Sequence, residues 1–335
     1  MAKNKKIKDT DYLYASARIK SLEKNLLTRD KLERMSEART TEDALKLLNE
    51  SGWPEIISPT MAAMEEVLSS RRSEAFALIR SLAPDKRLPD VFLIKYDYHN
   101  LKALLKSEAI FDDAEALLIE SGKLPVRQLK LMLQENSFSA MSRQMAASIA
   151  EARDVLARTQ DPQLLDLILD KAMYADMLDI AKSVGSKFLT DYVILMIDSV
   201  NLRVAVRLRR MGKGTEALRY ALIPGGDVSA SRLLGDVTPD LIEAVFNTSS
   251  LAAAAHIGAR ALRGEASLSD VDMACDDELL KYLKKAKYIA FGAEPLIGYL
   301  AAVEAELTSV RTVITGRLAG LAADMITERL RDSYV

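Results

Sequence analysis

Apolar positions recur at spacings of three and four along almost the whole chain, the signature of helices that bury one face. After Asp11, a capping residue, Tyr12, Ala15, Ile19, Leu22 and Leu26 mark the first stripe. Thr28 and Thr40 read as caps of two short helices, the second over 42–48 and closed by Ser51-Gly52. Ser58-Pro59 places a cap before a proline at the first helical position and predicts a long helix to about Leu82. Pro84 and Pro89 interrupt the chain before a helix over 90–107. Further helices are predicted after Pro125, over 137–159, after Asp161-Pro162, over 187–211, over 240–246, from the capping pair Ser267 and Asp270, and after Glu294-Pro295. No period-two run of β-branched residues stands out, so the fold class is all-α.

Within this pattern one cassette repeats. Asp97-Tyr98-His99-Asn100-Leu101-Lys102 returns as Asp198-Ser199-Val200-Asn201-Leu202-Arg203, and more weakly as Glu306-Leu307-Thr308-Ser309-Val310-Arg311. On a helix, Leu93, Asp97, Asn100, Leu101 and Leu104 share one face, as do Ile194, Asp198, Asn201, Leu202 and Ala205. Each copy sets an acid and a polar partner in an apolar stripe. Burial of such a pair is costly unless its hydrogen bonds are met. Asp97, Asn100, Asp198, Asn201, Glu306 and Ser309 are therefore expected to fix structural junctions. The cation lies five residues after the acid, too far round the helix to neutralise it easily, so it faces a neighbouring repeat, solvent or a partner. A second landmark, Gly122-Lys123-Leu124-Pro125 with Leu129, returns as Gly226-Asp227-Val228-Ser229 with Leu233.

The repetition predicts a basic arm over residues 1–8 and three helical modules over 9–113, 114–221 and 222–335, joined in one continuous globular unit. A period of about 100 residues is longer than the repeats of common solenoids, which weighs against a freestanding helical scaffold, the alternative reading. A chain of 335 residues can bury a sizeable core. Its formal net charge of −2 weighs against nucleic acid as a partner. Cys275 is the single cysteine, which precludes an intrachain disulfide and points to a reducing compartment. The most apolar long stretch, residues 288–303, is interrupted by Glu294 and Pro295, so no membrane-spanning helix is expected.

Candidate chemistry is sparse. His99 and His256 fall in different modules without a third ligand at metal spacing. Met211-Gly212-Lys213-Gly214-Thr215 lacks the spacing and the preceding strand of a phosphate loop and reads as a helix-ending turn. The acids after Cys275 would raise its pKa. No catalytic, cofactor-binding or metal-binding residue is assigned, and no small-molecule substrate is implied. Cations do cluster: Arg203, Arg207, Arg209, Arg210 and Lys213 on one helix, and Lys281, Lys284, Lys285 and Lys287 before the last one. Lys102, Arg203, Arg207, Arg210 and Arg311 are the candidates for a partner interface.

The opening Tyr12-Leu13-Tyr14-Ala15-Ser16-Ala17-Arg18-Ile19, the two Asp-x-x-Asn-Leu elements at Asp97 and Asp198, and the ending Glu328-Arg329-Leu330-Arg331 with Tyr334-Val335 carry a likeness to a known family. In their order, and over essentially the whole length, they resemble the C subunit of V/A-type ATPases, whose eukaryotic counterpart is called the d subunit. Trp53 and the Asn-less third cassette depart from that family's pattern. The resemblance implies a funnel of three pseudo-threefold-related helical modules without catalysis or cofactor of its own. It also implies a cytoplasmic, membrane-peripheral rotor subunit of the central stalk. Its partners would be the shaft subunits D and F and the membrane proteolipid (c/K) ring, with torque passing between ATP hydrolysis or synthesis and transport of ions such as protons.

Overall fold

The computed structural model describes residues 7–110 and 113–335. The first six residues of the basic arm lie outside the described residues. Fifteen α-helices, short 3-10 turns and loops make up the described residues, with no strand among them. In chain order the first four are α1 (Leu13–Leu22), α2 (Arg29–Glu37), α3 (Thr41–Glu50) and α4 (Met61–Leu82). Then come α5 (Asp90–Ile110), α6 (Val126–Gln134), α7 (Arg143–Thr159), α8 (Pro162–Val184) and α9 (Lys187–Arg210). The short α10 (Thr215–Ala221), α11 (Pro239–Phe246) and α12 (Ala252–Arg263) precede α13 (Leu268–Lys284), α14 (Glu294–Leu318) and α15 (Ala323–Thr327). The chain forms two compact units, one made of residues 1–89 with 280–335, the other of residues 90–279.

Hydroxyl caps account for many of the starts. Thr28, Thr40, Ser142, Ser186 and Thr238 each accept an amide hydrogen bond from the first turn that follows. Two expected starts move. The helix expected after Ser58-Pro59 begins at Met61, because Thr60 supplies the cap to the amide of Ala63. The helix expected over 137–159 begins at Arg143, after a turn closed by the Met141 amide on the Phe138 carbonyl. The helix α12 went unread in the pattern, since it buries Ala254, Ala255, Gly258, Ala259 and Ala261 and shows few large apolar residues.

The three cassette helices α5, α9 and α14 are the central elements of their units. In the first unit α14 packs against α1, α2, α3 and α4. It is buried over much of its surface, from Pro295 through Val303 to Gly316. A helix apolar on nearly every side must sit inside other helices, which is why its amphipathic pattern is weak. In the second unit α5 packs against α6, α7 and α8, and α9 against α8, α10 and α12.

A polar knot ties three of those helices. Tyr98 of α5 and Ser142, the cap of α7, both donate to Asp176 Oδ2 of α8, at 2.7 and 2.6 Å. Burial and then the Asp176 charge push the Tyr98 hydroxyl far above its ordinary pKa, so it stays a donor. Tyr98→Phe leaves the buried carboxylate with one donor fewer, and we expect it to lower stability by about 1–3 kcal/mol, read as the midpoint of urea unfolding.

Candidate functional site

Each cassette acid closes on the loop that precedes a helix. Asp97 Oδ1 accepts the Leu124 amide at 3.0 Å. Asp198 accepts the Val228 amide at 3.1 Å and the Asp227 amide at 3.1 Å. Glu306 Oε1 accepts the Leu27 amide at 2.7 Å. Leu124, Val228 and Leu27 stand at the same place, one residue before the cap residues Pro125, Ser229 and Thr28. In all three cases, then, a buried carboxylate fixes where the next helix or 3-10 turn begins.

The second landmark of the sequence supplies the other half of two of these clasps. A methyl group on Gly122 would overlap Asp97 Oδ1, and one on Gly226 would overlap Asp198 Oδ1. Neither glycine has a left-handed backbone. They are needed for close approach, since the carboxylate lies against the main chain itself. The third clasp has Asn25 at that position. Glutamate carries one methylene more, so it can reach an amide without bringing the main chain so close.

Asn100 and Asn201 complete the first two clasps in the same way. Asn100 donates to the Ile119 carbonyl and accepts from the Ile119 amide, both at 2.9 Å. Asn201 does the same with Ile223, both at 2.8 Å. Each satisfies both polar groups of one loop residue. Ser309 instead donates to Ala305 in its own helix at 3.0 Å. The residue at the corresponding position is Leu22, the last of α1, whose amide lies within the helix. The missing Asn of the third cassette has this local cause.

The cassette cations also follow one rule. Lys102 meets Asp170 of α8 at 2.6 Å. Arg203 pairs with Asp276 of α13 and donates to the Asp272 carbonyl at 3.1 Å. Arg311 makes two bonds to Glu65 of α4, both 2.6 Å. Each of these acids lies on a long neighbouring helix, α8, α13 or α4. Such part-exposed pairs are worth about 0–1 kcal/mol each, more where Arg and carboxylate pair by two parallel bonds. Arg207, 52% exposed, reaches Asp272 at 3.3 Å, and the exposed Arg210 reaches the Ala266 carbonyl at 3.3 Å. Asp170, Asp276, Glu65 and Leu27 escaped the sequence reading, because nothing local marks them; only the cassette cation and acid imply that partners exist.

Burial raises the three acids. Asp97 is pushed up to about 7, Asp198 to about 6 and Glu306 to about 7, by loss of water, only partly offset by the amide donors and, for Asp97 and Glu306, by Lys123 and Arg71. The Arg71 guanidinium stands 3.7 Å from Glu306 Oε2 and lies over the Trp53 ring.

The remaining chemical candidates resolve into structural contacts. His99 Nε2 lies 2.9 Å from the Leu117 carbonyl, and His256 Nδ1 lies 3.1 Å from Glu243. Cys275 is buried, and burial comes before the neighbouring Asp276 in raising its thiol. No group of acids, histidines and cysteine among the described residues could hold a metal ion. An open groove of about 340 Å³ between α7 and α8 is walled by Val155, Leu164, Leu167, Ile168 and Tyr220. Its Lys171 already donates to the Arg219 carbonyl at 3.2 Å.

The sequence was then compared with those of known proteins. The family model described as ATP synthase (C/AC39) subunit matches residues 15–329. The C subunit of the A-type ATP synthase of Methanocaldococcus jannaschii is 25% identical, with 95% of this chain and 86% of that protein covered. The C subunit of the V-type sodium ATPase of Enterococcus hirae is 22% identical, with 94% of this chain and 97% of that protein covered. The C subunit of the A-type ATP synthase of Thermococcus kodakarensis is 23% identical over 96% of this chain and 90% of its own length.

Two outcomes are expected from the clasps. Asn100→Leu and Asn201→Leu each strip a loop amide and carbonyl of partners and lower stability by about 1–3 kcal/mol, while Ser309→Ala changes it little; unchanged urea midpoints for both Asn variants would remove the junction role. The raised acids give a pH dependence of definite sign. A folded state that keeps a proton longer than the unfolded chain loses stability as pH rises, here from near 4 through about 7. Asp85, Asp270 and Asp332 are held low and titrate beneath that window. The unfolding midpoint should fall between pH 5 and pH 8, and Asp97→Asn or Asp198→Asn should flatten the slope.

Proposed function

The chain belongs to the ATP synthase (C/AC39) subunit family, and on that premise we propose that it is the rotor socket of its ATPase, joining the central shaft to the membrane ring. Family membership makes it a non-catalytic subunit of a rotary A/V-type ATPase. In the proposed role it receives the tip of a shaft formed by subunits D and F, rests on the cytoplasmic face of the proteolipid ring, and passes torque between the ATP-driven part and ion transport.

The single observation that carries this reading is the family match over residues 15–329, with relatives aligned along nearly their full lengths. Three features support it. No helix among the described residues is long and apolar enough to cross a membrane, which suits a peripheral position. The clasps are carboxylate-to-backbone bonds that stiffen each unit from within, as a torque-bearing part requires. Their recurrence is consistent with three modules, which we take as 9–113, 114–221 and 222–335. Within the interface candidates, Arg207 and Arg210 keep the greatest exposure, whereas Lys102, Arg203 and Arg311 hold helices of their own unit together. Arg207 and Arg210 are therefore the first residues to substitute in an interface test.

Co-purification of the full chain with the paired subunits D and F, and separately with detergent-solubilised ring, tests the role. Capture by both is expected, with Arg207→Glu/Arg210→Glu weakening one of the two. Capture by neither would end the socket reading in favour of a freestanding scaffold.

A further inference from the structure

One basic and aromatic stretch has no place in that role. From Leu279 to Ala293 the chain has no acid but contains Lys281, Lys284, Lys285, Lys287, Tyr282, Tyr288 and Phe291. From Leu280 on this stretch belongs to the first unit and forms the end of α13, a 3-10 turn over Lys285–Tyr288 and a short connection to α14. A solvated lysine face would be the ordinary outcome of such a sequence. The structure departs from it in two respects.

First, the positive charge is gathered and only partly neutralised. Lys20 of α1 donates to the Ala286 and Lys287 carbonyls at 3.2 and 2.9 Å, which brings a further ammonium group to the same turn. Lys287 donates to the Tyr334 carbonyl at 3.3 Å, and Lys285 lies over the Tyr282 ring at 4.8 Å. Carbonyls and rings orient an ammonium group but carry no net charge to cancel it. Acids do face the group: Asp332 is paired with Lys284 at 2.6 Å, Glu23 lies 3.7 Å from Lys20, and the Glu294 carboxylate lies against Gly292. Second, aromatic rings stand outside. Tyr288 is 90% exposed and Phe291 41% exposed. Ser16 exchanges hydrogen bonds with the Gly292 amide and carbonyl at 3.3 and 3.2 Å, so the connection is held to α1. On α1, Leu13 and Tyr14 are exposed as well.

We propose that the turn from Lys285 to Phe291, backed by α1, is a docking edge for an anionic lipid surface. Charge complementarity selects the occupant: the exposed Lys285 and Lys287 are held by a ring and a carbonyl and not by a carboxylate, and anionic headgroups attract each lysine near the surface. The rings select lipid over an acidic polypeptide, since tyrosine and phenylalanine beside lysine match the mixed polarity of the headgroup layer. Nucleic acid fits poorly with a chain of net charge −2.

The test is co-sedimentation of the full chain with vesicles of phosphatidylcholine alone and of phosphatidylcholine mixed with phosphatidylglycerol. Binding to the mixed vesicles only, with release at high salt, is expected. Lys285→Ser should weaken it about five-fold, and the pair Lys285→Ser/Tyr288→Ser further, with unchanged thermal melting since both side chains are exposed. Adding Lys287→Ser should weaken it again by about the same factor. No binding to mixed vesicles, equal binding to both kinds, or variants that bind like the parent would each overturn the proposal. Retention on immobilised polyglutamate without vesicle binding would overturn it in favour of an acidic protein partner.

Discussion

A carboxylate buried in a helix and closed on the amide of a distant loop is the constraint on which this structure turns. Charge in an apolar stripe is unfavourable, and only a donor held at close range offsets it. The donor here is main chain, so the bond fixes backbone against backbone and leaves the start of the next helix little freedom. Asp97 and Asp198 lie so near the chain that glycine is required beside them. Glu306 makes the same bond with a longer arm. The cations five residues on fasten the same cassette helices sideways, to α8, α13 and α4. A cassette helix is thereby held in two directions, along its loop and across to its neighbour.

The third clasp shows how the pattern is completed. The first two cassettes close on loops that follow them in the chain, Leu124 and Val228. The third closes on Leu27, which belongs to the beginning of the chain. The tail is gathered in as well: Arg29 of α2 donates to the Thr327, Leu330 and Arg331 carbonyls, and the Tyr334 hydroxyl lies 3.4 Å from Glu23. The equivalent set for α14 is therefore α2, α3 and α4, as α6, α7 and α8 are for α5.

Much of this was legible in the sequence, and the remainder fails for identifiable reasons. Strong caps and proline breaks announced most helices, and the spacing of Asp97, Asn100 and Leu101 announced a buried polar pair. The repeated Gly-x-Leu/Val element was visible too, but nothing in one dimension said that Gly122 lies against Asp97. The Ala-rich α12 had no periodic contrast to read. Thr60 outcompeted Ser58 for a helix start because capping depends on which hydroxyl meets a free amide. The partners of the cations were hidden because any of several acids on a long helix would satisfy the pattern. Burial of Cys275, more than its acidic neighbours, governs its thiol, and burial is a property of packing.

Closure of the last clasp by the first loop bears on how the molecule is made. The second unit is one uninterrupted stretch of chain and can assemble as soon as it leaves the ribosome. The first unit cannot. Its α2, α3 and α4 bury Leu32, Leu48 and Leu68, yet α14, which packs against all three helices, is made only after the whole of the second unit. Sequence separation of this kind slows folding and leaves apolar surface waiting in the interval. During translation, residues 1–89 are the part of the chain whose apolar surface waits longest for its cover.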